Sequence, residues 1–146
     1  MKQRRIILIS IVLVSGLLLY ACEFLQRESY CSDRVADELI LNDTIELRYG
    51  ELYCNSRYEI RLAVDSILDS RCPIGAMCFW EGNGQVKLSL SQAGNPSSFW
   101  LNTHVDFRRD TVVHGLKYEL INLLPYPDIS KEYELEDARV FLLITD

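Results

Sequence analysis

The chain is short of several things, and each shortage narrows its role. Basic residues are in the minority, with 15 Lys and Arg against 21 Asp and Glu and a formal net charge of −6 over 146 residues. A phosphate backbone demands a basic surplus, so nucleic acid is excluded as the expected partner. Four Pro and seven Gly are too few for a collagen-like or disordered chain. There are only two histidines, His104 and His114, and neither stands at ligand spacing to a cysteine, which argues against a metal site. No G-x-S-x-G elbow, H-E-x-x-H pair or phosphate-cradling glycine loop occurs. The expectation is a chain without cofactor, metal or catalytic residues. The one long hydrophobic run, Ile6 to Ala21, is 16 residues, short of the roughly 20 that a spanning helix needs.

What is present begins at that run. Lys2, Arg4 and Arg5 precede it and the small residue Ala21 closes it, the grammar of a secretory signal peptide. Leu19-Tyr20-Ala21-Cys22 resembles the lipobox of bacterial lipoproteins, with Tyr20 at a position usually held by a small residue. The resemblance implies removal of residues 1–21 and lipid attachment at Cys22. It also implies a place in the bacterial cell envelope, membrane-anchored on the periplasmic or outer-membrane face. An uncleaved anchor helix and plain secretion with Cys22 free are the competing readings. Cleavage would leave 12 basic against 21 acidic residues, a charge repelled by an anionic bilayer. The folded part is therefore expected to stand off the membrane on a tether of residues 22–42, in which 32–41 has the pattern of a short helix.

From residue 43 to 146 the pattern is alternation. Ile45, Leu47 and Tyr49 interleave with polar residues, as do Tyr58 to Val64 and Val86 to Leu90, the period of a half-buried strand. Gln92 to Ser97 reads as a turn cluster before a strand at Phe99 and Leu101. Segments 116–124 and 138–145 complete the set, the last apolar on both faces and so expected to be central. About seven short strands and no amphipathic helix predict an all-β domain, an antiparallel β-sandwich or a small barrel.

Without Cys22, four cysteines remain, and four allow three pairings. Cys72 and Cys78 close a seven-residue loop turned by Pro73 and Gly75, so Cys72–Cys78 is the favoured disulfide and Cys31–Cys54 follows by elimination. Asp69 and Arg71 share a face and are expected to pair. Trp80 is expected to pack beside the disulfide, and Gly82 to sit in a tight turn. Asp69-Ser70-Arg71-Cys72-Pro73, then Cys78, Trp80 and Gly82, resemble a D-S-R-C-P-x4-C-x-W-x-G motif of small uncharacterised bacterial lipoproteins and secreted β proteins. That resemblance covers about residues 43–146 and implies fold and location, without catalytic residues.

The functional expectation is an envelope lipoprotein whose non-catalytic β domain binds a protein, peptide or glycan, with the lipid bilayer held through Cys22. Trp100, Tyr126 and Tyr133 are candidate contacts near strand ends. The alternative is an inhibitor or accessory factor acting through the rigid 72–78 loop, with Ile74 and Met77 as exposed anchors. The acidic stretch Asp128 to Asp137 lacks the spacing of a calcium loop and reads as a charged surface loop.

Overall fold

Alternating side chains set the architecture, because each half-apolar strand must bury one face against another. The computed structural model describes residue 31 and residues 37–146, and its β unit runs Arg34–Asp146. The signal segment 1–21, Cys22 and residues 23–30 and 32–36 of the tether lie outside the described residues.

Among the described residues nine strands follow in order: β1 (Asp37–Glu38), β2 (Thr44–Arg48), β3 (Leu52–Asn55), β4 (Ile60–Asp69), β5 (Gly84–Gln92), β6 (Asn95–Asn102), β7 (Asp110–Val113), β8 (Leu116–Leu124) and β9 (Arg139–Thr145). One sheet has the order β1-β3-β4-β5-β6 and the other β2-β9-β8-β7. All pairings are antiparallel except the two-residue β1 against β3. The sheets stay open and form a sandwich, so the barrel alternative falls. Leu47, Leu62, Val64, Val86, Leu88, Leu101, Leu120, Val140 and Leu142 are among the side chains that fill the space between the sheets. β9 is central as expected, between β2 and β8, with Val140, Leu142 and Ile144 inward.

Three expectations are corrected. Residues 37 and 38 are strand, so the helix proposed for 32–41 does not hold over the part that is described. Two strands escape the alternation count. β3 buries Tyr53, Cys54 and Asn55 in succession, because Asn55 is turned inward to donate from Nδ2 to the Leu39 carbonyl at 2.7 Å. β7 is four residues long and half exposed. Finally, the turn after β5 is only Ala93-Gly94, both at positive φ, the two-residue hairpin pattern. β6 therefore starts at Asn95 and tolerates Pro96 because it is an edge strand.

Candidate binding site at the loop end

The strand directions gather three connections at one end of the sandwich: β4–β5 (70–83), β6–β7 (103–109) and β8–β9 (125–138). The first organises the other two.

Its stem continues the β4–β5 ladder, with Ser70 N–H donating to the Asn83 carbonyl (2.9 Å) and Cys72 N–H to the Glu81 carbonyl (2.8 Å). Gly82 makes that approach feasible. It sits at φ +77°, and a Cβ there would overlap the Ser70 carbonyl oxygen. Beyond the stem, Cys72 and Cys78 are bonded, Cα to Cα 5.9 Å, as expected. Cys31 and Cys54 are also disulfide-bonded.

Arg71 ties this hairpin to the β8–β9 loop. It is 8% exposed, and its guanidinium grips Asp69 through Nε (2.9 Å) and Nη2 (2.6 Å), the pairing expected from their shared face. Nη1 donates to the Leu123 carbonyl (2.8 Å) and Nη2 to that of Pro125 (2.9 Å), while Tyr126 lies under the guanidinium with its ring centroid 4.6 Å from Cζ. A backbone bridge adds to the tie: Ile74 N–H donates to Pro127 (2.8 Å) and Ile129 N–H to Ile74 (3.1 Å). Next to it, Ser130 donates from its hydroxyl and its N–H to Asp128, which holds that carboxyl below the usual range.

Two buried asparagines tie the hairpin to the β6–β7 loop. Asn83 Nδ2 donates to Asn102 Oδ1 (2.8 Å), and Asn102 Nδ2 donates to the Arg108 carbonyl (2.8 Å). His104 N–H donates back to Asn83 Oδ1 (3.1 Å). Three loops are thus held as one rigid surface.

What that surface presents is apolar. Ile74, Met77, Phe79, Val105, Phe107 and Ile129 are exposed. Trp80 is 52% exposed, and its ring neighbour is His104, at 6.1 Å between centroids, with Phe107 5.7 Å beyond. The expectation that Trp80 is buried beside the disulfide is therefore corrected. The Gly82 approach directs the 79–82 segment against β4's end and leaves the indole at the surface. Ile74 and Met77 are exposed as foreseen, and Tyr126 and Tyr133 lie in the same loop end. Trp100 does not join them. It sits within β6 on the outer face of its sheet, opposite Lys87. Phe79, Val105, Phe107 and Ile129 were missed, although apolar residues inside turn-rich segments are themselves a signal of display.

A groove with a cavity volume of about 390 Å³ runs beside this surface, lined by Ile67, Leu124, Pro125, Pro127, Tyr133 and Leu135 among others. His104 lies 3.8 Å from both Glu81 and Asp106, and His114 is in a two-residue turn with Nε2 2.9 Å from Ser97 Oγ. Among the described residues, no group of three His, Cys, Asp or Glu side chains is placed to hold a metal ion. No protein family, curated protein or solved structure matches the chain.

Proposed function

We propose that this chain is a bacterial envelope lipoprotein, anchored through lipidated Cys22, whose β domain is a non-catalytic binding module. The observation that carries the binding reading is the rigid apolar loop end: exposed apolar side chains cost solubility unless a partner covers them. Preorganisation by Arg71, the two asparagines and the disulfide lowers the ordering cost of association. The anchor rests on the basic start, the short apolar run and Leu-Tyr-Ala-Cys. Detergent phase partitioning tests it: wild type is expected in the detergent phase and Cys22→Ser in the aqueous phase. Equal partitioning with Met1 retained overturns the anchor.

An inhibitor or accessory factor is the second reading, favoured by the full exposure of Met77 at the tip of the disulfide loop. Wild type would then inhibit a member of a protease panel and Met77→Asp would not. No inhibition by either removes this reading and leaves the binding module.

A further inference from the structure

The groove and the charges around it specify a partner chemistry. Ile67, Leu124, Pro125, Pro127, Tyr133 and Leu135 give it apolar walls. Its rim is mainly acidic. The β8–β9 loop that lines it carries four exposed carboxylates (Glu132, Glu134, Glu136 and Asp137) against one exposed cation, Lys131, with Arg139 exposed at the start of β9. Arg71 does not change that balance at the surface, because it is buried and paired with Asp69.

We propose that the groove takes a segment of a protein partner whose apolar side chains fill it while neighbouring Lys or Arg side chains lie along the carboxylate rim. The proposal rests on the reading of this end as a binding surface and adds its ligand class. Charge complementarity selects this occupant. An anionic membrane is repelled by the rim. A neutral glycan leaves the Leu, Ile and Pro walls facing hydroxyls. A cationic, apolar segment matches both features, and Pro127 and Tyr133 offer walls that lose little side-chain freedom on binding.

The test uses the full chain in zwitterionic nanodiscs, with empty nanodiscs as control, and fluorescence anisotropy of three short labelled peptides: Leu with Lys, Leu with Glu, and Ser with Lys. Only the Leu/Lys peptide is expected to bind, about tenfold more weakly when salt rises from roughly 50 to 500 mM. Leu135→Asp should weaken it about tenfold. The exposed triple variant Glu132→Gln, Glu134→Gln, Glu136→Gln should flatten the salt dependence without unfolding the domain. Equal binding of the Leu/Glu peptide, no binding by Leu/Lys, or Leu/Lys binding unchanged in both variants overturns the proposal. If the peptides fail while Phe79 and Trp80 variants still lose a natural partner, this ligand class falls and the binding module stands.

Discussion

Arg71 is the residue on which the loop end turns. Its fork fits a carboxylate and two carbonyls at once, which a point charge on a lysine stem cannot reproduce. Truncation strands Asp69 and the Leu123 and Pro125 carbonyls in a poorly solvated place. Arg71→Ala should therefore cost about 2–4 kcal/mol in urea unfolding, reduced from a fully buried pair because Asp69 is partly exposed; Arg71→Lys should recover less than half. A loss below 1 kcal/mol would mean the loops are held by the disulfide and backbone bridges alone. Tyr118 makes a second, independent prediction. Its ring packs 5.2 Å from Phe99 in the core, and its buried hydroxyl finds no partner among the described residues. Burial pushes its pKa up to about 12, against about 10 for an exposed tyrosine. The folded state then holds the proton more tightly than the unfolded chain. The resulting stability is fully present below pH 10 and is lost as pH rises from 10 to 12, by roughly 2–3 kcal/mol. Tyr118→Phe should show a flatter stability curve over that window and lose little at pH 7, because no hydrogen bond is broken. Identical curves for the two proteins would contradict this.

At the scale of elements, the β4–β5 hairpin is the part that other loops lean on, and its stem depends on Gly82. A side chain there meets the Ser70 carbonyl and a positive φ together. Gly82→Ala should cost about 2–4 kcal/mol and reduce amide protection at Cys72 and Ser70, whose N–H groups bond across the stem. Unchanged protection would show that the stem does not need the close approach. The strands were legible where the pattern was long: β2, β4 and β5 follow from period two, and β9 from a run apolar on both faces. β3 and β7 were not, because four residues give too few periods, and because Asn55 is buried by a hydrogen bond to Leu39 rather than by hydrophobicity. Among site residues, Asp69–Arg71 and Cys72–Cys78 were legible from spacing. The fate of Trp80 was not, since it depends on how Gly82 seats the segment against Ser70, a contact with no local sequence signature. Trp100 misled for another reason: the turn before it is two residues, not six, so β6 starts at Asn95 and Trp100 stands well inside the strand rather than at its beginning.

For the whole molecule, two open sheets enclose the core and leave one end to carry three interlocked loops with an apolar, acid-rimmed face. On the binding reading proposed above, this end is the surface that meets the partner. Gathering of Ile74, Met77, Tyr126 and Tyr133 at one end could be guessed only once strand directions were known, which is why the sequence alone could nominate them singly but not as a surface. The direct test is site-specific photo-crosslinking in the cells that make the protein, with the photoreactive residue at Met77 or Phe79 and, as control, at Val112, an exposed position on the edge strand β7. The account predicts one discrete crosslinked product from Met77 and Phe79, none from Val112, and its loss in Trp80→Ala at a nearly unchanged melting temperature. No product from the two loop positions, or the same product from Val112, would contradict it.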